Sequence, residues 1–203
     1  MQIVLFGGSF DPPHLGHFQV TEQLLDQKVA DEVWYVPVKQ HHFGKQMNAV
    51  EHRLAMLDEV VAAHQEQWPE QVKIEPYELQ QEGINYTYDT LEFVSQRSPE
   101  HTFSFVIGSD NLAGFHRWLA VHEMLLKYRF YVYPREGFPM EPLYENMVPL
   151  NTFPSVRVSS TEIRERLSSF QSISELVLPA VDQYIRDHQL YVSSPSTSTS
   201  NDR

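Results

Sequence analysis

This sequence predicts an α/β fold, a doubly wound parallel sheet with helices on both faces, on three observations. Short apolar runs alternate with helix-patterned stretches along most of the chain, as in β-α-β units, whose crossovers need parallel strands. The first run, Ile3 to Phe6, has no polar alternation and fits a strand covered on both faces. Strand ends of the same kind recur at Phe6-Gly7, Pro37-Val38 and Ile107-Gly108. Sheets of this type bind ligands at the carboxyl ends of their strands, where the strand order reverses.

Taken in order, the Ile3–Phe6 strand is followed by Gly7 and Gly8, which allow a sharp turn and a close ligand approach. Asp11-Pro12-Pro13 stiffens the exit. A helix is expected from about Leu15 to Gln27, with Phe18, Leu24 and Leu25 inward. Glu32 to Pro37 is a second strand, rich in β-branched and aromatic residues, with Trp34 and Tyr35 as core. After the loop 38–48, a helix spans about Ala49 to Gln65, with Val50, Leu54, Leu57 and Val61 at helical spacing. Val72 to Ile74 is a short strand, Gly83 to Tyr86 a turn, and Thr87 to Arg97 a helix. Thr102 to Ile107 is the next strand, then two short helical pieces near Asn111–Phe115 and Ala120–Leu126, and a strand from Tyr128 to Tyr133.

Residues 135–154 carry four prolines and one glycine and read as irregular, a lid or an edge covering. Val156 to Val158 is a candidate last strand; helices follow at Ser160–Leu167 and Pro179–His188. Residues 1–192 are expected to form a single domain. Residues 193–203, mostly Ser, Thr, Pro and Asn, are expected to be a disordered tail.

Composition narrows the classes. A 41% hydrophobic, 21% charged chain of 203 residues is ordinary for a soluble domain with one core. Against 27 acidic residues stand only 15 basic ones, a net charge of −12. That argues against a nucleic-acid surface, which needs a basic footprint. A protein so charged must gather cations locally to handle a phosphate ligand. The absence of cysteine excludes disulfides and thiolate chemistry and fits a reducing compartment. No apolar run reaches membrane-spanning length, and no charged region precedes the first one. A cytoplasmic location is expected, and oligomeric state stays open, a homo-oligomer included.

The chemistry concentrates in two stretches. Gly7-Gly8-Ser9-Phe10-Asp11-Pro12-Pro13-His14-Leu15-Gly16-His17 leads from a strand into a helix. Backbone N–H groups at such a helix mouth, with the helix dipole, favour an anion. His14 and His17, three apart, project from one face and can donate hydrogen bonds to phosphate oxygens. A lone histidine there would be a solvated or capping residue, and a metal pair would need a third ligand at recognisable spacing, which is missing. In the second stretch, Val158-Ser159-Ser160-Thr161-Glu162-Ile163-Arg164, Ser159 with Glu162 makes a capping box. Arg164 near that helix's amino end, with Arg157 and Arg166 nearby, makes a candidate triphosphate clamp instead. Chemistry alone leaves cap and clamp level.

Together these stretches resemble the nucleotidyltransferase superfamily with the His-x-Gly-His signature, and within it the bacterial nicotinate-nucleotide adenylyltransferases. Ser-Ser-Thr-x-Ile-Arg is that family's second signature, matched by Ser159, Ser160, Thr161 and Arg164. Ile107-Gly108-Ser109-Asp110 looks like its Ile-Gly-Ala/Ser-Asp turn, whose aspartate contacts nucleotide; an N-cap is an equally natural role for Asp110. Asn85 to Leu91 resembles its Ser-Tyr-Thr-x-Asp-Thr-Leu stretch.

The resemblance implies a Rossmann-like nucleotidyltransferase fold and an ATP site of Gly7, Gly8, Ser9, Phe10, His14, Gly16, His17, Gly108, Asp110, Ser159, Ser160, Thr161 and Arg164. It implies that Thr87 meets the pyridine carboxyl group and that Trp118 stacks on the nicotinate ring, although packing alone makes Trp118 a core residue. Arg135 is counted on the same mononucleotide side. Two stretches depart from the family. Its Pro-Pro-His-Lys/Arg loop is replaced by Gln40-His41-His42-Phe43-Gly44-Lys45, where Lys45, with Lys39 as competitor, is the candidate phosphate cation. Leu119 replaces an aromatic residue that often follows the tryptophan.

The expected reaction is in-line attack of the nicotinate mononucleotide 5′-phosphate on the α-phosphorus of ATP, releasing pyrophosphate, with His14, His17, Arg164 and Lys45 as catalytic residues. Mg²⁺ is expected to arrive with ATP, with no metal ligands from the protein. The alternatives are the same reaction on nicotinamide mononucleotide, another phosphate acceptor, or a nucleotide-sensing module without turnover.

Overall fold

The computed structural model describes residues 1–39, 47–83 and 85–192. The loop carrying Lys45 and the expected tail 193–203 lie outside the described residues. Six strands, β1 (Gln2–Gly8), β2 (Glu32–Pro37), β3 (Val72–Ile74), β4 (Thr102–Gly108), β5 (Arg129–Tyr133) and β6 (Met147–Pro149), form one sheet in the order β3-β2-β1-β4-β5-β6. Every pairing is parallel, with Leu5 of β1 opposite Trp34 on one side and Phe105 on the other. The chain moves outward from β1 to β2 and β3, then returns to β4 on the other flank. The strand order therefore reverses between β1 and β4.

Helices cover both faces. Alternate residues of β1 serve different cores, since successive side chains of a strand point to opposite faces. Val4 and Phe6 pack with α1 (Leu15–Asp26), α2 (Val50–His64), α6 (Ser160–Ser168) and α7 (Pro179–Asp187), through Leu24, Leu57, Ile163 and Val181. Ile3 and Leu5 pack with α4 (Thr87–Arg97), a 3₁₀ helix (Ser109–Arg117) and α5 (Val121–Lys127), through Leu91, Phe115 and Met124. Ile3, Val4 and Leu5 are fully buried, each worth about 1.5–3 kcal/mol of transfer free energy. This double burial is why the strand reads as an unbroken apolar run.

Several expectations change. Gly7 and Gly8 do not make the turn; they are the last residues of β1. The left-handed residue is Phe10, at φ 47°, followed by a cis Asp11–Pro12 peptide. Gly7 is required for space, because a Cβ there would lie 2.6 Å from the ring of Phe105. The inward stripe of α2 is Arg53, Met56, Leu57, Val60 and His64, rotated from the Val50, Leu54, Leu57, Val61 stripe because an arginine and a histidine occupy apolar surroundings. The short helix α3 (Tyr77–Gln80) and the edge strand β6 were not expected. β6 falls inside the supposedly irregular 135–154 segment, while Val156 makes only an isolated bridge to Arg135. No described helix is long and apolar enough to cross a membrane.

Candidate active site

The site grows from the carboxyl end of β1. Phe10 turns the chain, and its ring, 1% exposed, is buried under His17 in an edge contact at 5.0 Å. Of Phe10, only the backbone is left to face a ligand. His14 is the N-cap of α1 in an extended conformation. Its ring stacks on that of His17, with centroids 3.7 Å apart and planes 19° from parallel. The His14 amide donates to His17 Nδ1 at 3.1 Å. That bond makes Nδ1 an acceptor, so the neutral His17 ring carries its proton on Nε2. His14 Nδ1 is buried and has no hydrogen-bond partner among the described residues.

Both rings are held neutral. Burial first, and the Arg135 guanidinium second, push His17 down to about 3. Burial, His17 and Arg135 hold His14 well below the ordinary imidazole range. Each neutral ring keeps one N–H to donate, and the positive charge beside the pair is that of Arg135. The backbone contributes less than the sequence suggested. The first-turn amides of Leu15 and His17 are already bonded, to Leu176 O at 2.9 Å and His14 O at 2.9 Å. Gly16 earns its place by contact: a Cβ there would lie 2.5 Å from Val156 and 3.0 Å from the His14 ring.

The second stretch docks onto the first. Ser160 Oγ donates to Pro12 O at 2.8 Å, and Arg164 Nη1 donates to Asp11 O at 2.7 Å. Arg164 Nη2 reaches Thr161 Oγ1 at 3.0 Å. The amino end of α6 and the mouth of α1 are thus one structure, although about 150 residues separate them in the chain. The serine cap is present, and of the arginines expected in a clamp Arg164 alone turns to the loop. Ser159 Oγ accepts the Glu162 amide at 3.1 Å, but the Glu162 carboxylate pairs with Arg166 instead of closing the box. Arg166 also bonds Glu175, and the exposed Arg157 pairs with Glu136 at 3.5 Å. The expected three-arginine cluster reduces to Arg164.

Arg135, assigned from sequence to the mononucleotide side, stands with the histidines whose protonation it opposes and lies 3.7 Å from Asp110. Ser109 Oγ accepts the Arg135 amide at 3.0 Å and donates to Phe138 O at 3.0 Å, tying the ends of β4 and β5 together. The buried Arg135 Nε has no hydrogen-bond partner among the described residues. Gly108 leaves room for this pair, since a Cβ there would meet Asp110 at 2.3 Å and Arg135 at 2.9 Å. Across β1, Trp118 packs at the edge of the second core, 4.9 Å from Phe115 and 6.4 Å from Phe105. Phe105 is the ring that excludes a side chain from Gly7, so Trp118 is linked to the β1 end through one residue. Thr87 is the first residue of α4, an 11-residue helix whose amino end favours an anion. Lys39 Nζ is engaged by Gln81 O.

Sequence reasoning missed the residues that hold the loop. Arg53, 1% exposed, donates to Ser9 O at 2.8 Å and to Asn48 O at 3.1 Å. Asp11, also 1% exposed, accepts from Asn48 and from Tyr191. The signal for Arg53 was its spacing with Met56, Leu57 and Val60; nothing in sequence pairs Asp11 with Tyr191. For a metal, no group of three or more His, Asp or Glu among the described residues could form a cage.

A family model described as cytidylyltransferase-like matches residues 5–166. A probable nicotinate-nucleotide adenylyltransferase of Oceanobacillus iheyensis is 35% identical over 191 residues, covering 94% of this chain and 96% of the relative. One from Salinibacter ruber is 35% identical over 196 residues, covering 94% and 98%. Among solved structures, the Plasmodium falciparum nicotinic acid mononucleotide adenylyltransferase complexed with NaAD superposes with a TM-score of 0.79 at 23% identity, covering 94% of this chain and 97% of that one.

Proposed function

The chain belongs to the nicotinate-nucleotide adenylyltransferase family, and we propose that the residues gathered at the end of β1 carry out adenylyl transfer from ATP to the 5′-phosphate of nicotinate mononucleotide. A mononucleotide phosphate oxygen attacks the α-phosphorus in line. The bond to the bridging oxygen breaks, and pyrophosphate leaves with that electron pair. The attacking group has a second pKa of about 6 and is a dianion near neutral pH, so no general base is required. Catalysis is positioning plus charge stabilisation.

The observation that carries this reading is the stacked, neutral His14–His17 pair joined through Asp11 to Arg164 and through Pro12 to Ser160. His17 Nε2–H donates to the α-phosphate as charge develops, and His14 binds the triphosphate. Arg164 neutralises the departing pyrophosphate while fixing the loop, with Ser159, Ser160 and Thr161 beside it. Arg135 supplies a second guanidinium where the two phosphates meet, and Asp110 accepts from a ribose hydroxyl. Lys45 is the loop cation. Thr87 and the amino end of α4 receive the pyridine carboxylate, and Trp118 the ring. Mg²⁺ enters chelated to ATP, as part of the substrate, and supplies charge neutralisation. The absence of cysteine agrees with a cytoplasmic enzyme.

Pyrophosphate release with ATP and Mg²⁺, comparing nicotinate and nicotinamide mononucleotides, tests the assignment. The acid is expected to react at least about tenfold faster, because the amide gives up an anion–helix interaction and a charge-assisted hydrogen bond. An equal or faster amide would move the substrate to the nicotinamide form. No release with either would leave a nucleotide-sensing module.

A further inference from the structure

We propose that the Tyr191 hydroxyl is a positioning group for the reaction, holding the Asp11 side chain and through it the backbone that carries His14 and His17. The proposal rests on the adenylyl-transfer reading and adds a residue that acts through Asp11.

Asp11 is the point where three distant parts of the chain, at Asn48, Arg164 and Tyr191, meet the loop. Its Oδ1 accepts the Tyr191 hydroxyl at 2.6 Å and Asn48 Nδ2 at 3.0 Å, and its Oδ2 accepts the Asn48 amide at 3.2 Å. Its carbonyl takes Arg164 Nη1 at 2.7 Å. Arg53 of α2 holds the neighbouring Ser9 carbonyl and the Asn48 carbonyl. The phenol bond is the shortest of the three to the carboxylate and falls in the range of charge-assisted O–H···O⁻ bonds.

The chain goes to some trouble to deliver that hydroxyl. After α7 it reverses through Gln189 at φ 50° and Tyr191 at φ 64°, two non-glycine residues in the left-handed region. Each costs on the order of 1 kcal/mol or more, and such residues persist where surrounding contacts over-determine them. Leu190 between them is buried, and its amide is bonded to Ile185 O at 3.0 Å. Burial and the adjacent Asp11 raise the Tyr191 phenol, so its hydroxyl stays a donor across the neutral range. Asp11 lies only three residues before His14. Removing the hydroxyl leaves a buried carboxylate oxygen short of a donor, while Asn48, Arg53 and Arg164 still hold the loop. The consequence is a loosened loop in a folded protein, and displacements of about 1 Å at reacting groups cost up to about a hundredfold in rate.

The experiment is steady-state kinetics of the full chain and of Tyr191→Phe and Tyr191→Leu, with thermal melting of each. Tyr191→Phe is expected to lower kcat about tenfold, to change both KM values less than about threefold, and to lower the melting temperature by less than about 5 °C. Tyr191→Leu, which also loses the ring, is expected to melt lower with a kcat per folded molecule close to that of the Phe variant. A wild-type kcat in Tyr191→Phe, or a loss no larger than its loss of folded protein, overturns the proposal. An unmutated chain that forms no dinucleotide sinks the adenylyl-transfer reading itself, a separate outcome.

Discussion

In the proposed reaction His14 and His17 act without charge. Their rings lie face to face at 3.7 Å, where two imidazolium ions would repel, and Arg135 adds to the penalty. A neutral ring with Nδ1 committed to the His14 amide has one proton to offer, on Nε2. In the proposed reaction that donor is set before ATP binds, so no reorganisation would be needed as charge develops on the α-phosphate. One such donor is worth about 3 kcal/mol in the transition state, on the order of a hundredfold in rate. The motif revealed both histidines in sequence because a strand, glycines, prolines and paired imidazoles coincide there. Their neutrality was not legible, since it depends on burial and on Arg135, which arrives from the end of β5. Arg53 was hidden for a similar reason: a charged residue in a helical stripe of apolar ones is read as exposed until its acceptors, here the Ser9 and Asn48 carbonyls, are in view.

At the scale of elements, the active centre is a joint between two helix amino ends and one strand end. Gly16 sits in that joint, and Gly16→Ala sets two effects against each other. Alanine in a helix is favoured over glycine by about 1 kcal/mol. The added Cβ, however, would lie 2.5 Å from Val156 Cγ1 and 3.0 Å from His14 Nδ1, and overpacking of this kind costs about 1–3 kcal/mol. The clash wins. Gly16→Ala should melt below the wild type and turn over more slowly, as differential scanning calorimetry and initial rates would record. A higher melting temperature with unchanged turnover would mean that α1 and Val156 are not in contact. The helices Thr87–Arg97 and Ser160–Ser168 were legible nearly to the residue, from periodicity and from the Ser159 cap. The strand β6 was not, because three residues ending in proline carry no period, and only pairing with β5 defines them.

Over the whole molecule, the alternation of strands and helices made the parallel sheet legible, but not the order of its strands. The reversal between β1 and β4 is what brings Gly108, Asp110 and Arg135 beside the histidines. Acid sensitivity also belongs to this scale. His17 at about 3, His64 at about 4 and His14 well below its ordinary value all have folded pKa values under the unfolded 6.5. The unfolded chain therefore takes up protons first as pH falls, and stability present above about 6.5 is lost below it. His64 alone, stacked on Phe18 with neither ring nitrogen bonded to a described residue, accounts for about 3 kcal/mol between pH 6.5 and 4. Glu78 acts the other way. Burial raises it to about 7, so its stabilisation is present at low pH and is lost as pH rises through that value. Burial raises Glu22 and Asp58 in the same direction, while hydrogen bonds lower Glu92 and Glu175. The three deeply buried imidazoles outweigh Glu78, and the melting temperature should drop from about pH 7 to about pH 4.5. A rise over that range would show that the histidines are not buried neutral. The central claim, that the His14–His17 pair and Arg164 act on a single ATP, is tested most directly by the turnover of His17→Ala with ATP and nicotinate mononucleotide. The account predicts a kcat lower by about a hundredfold or more in a protein with wild-type circular dichroism; an undiminished kcat would contradict it.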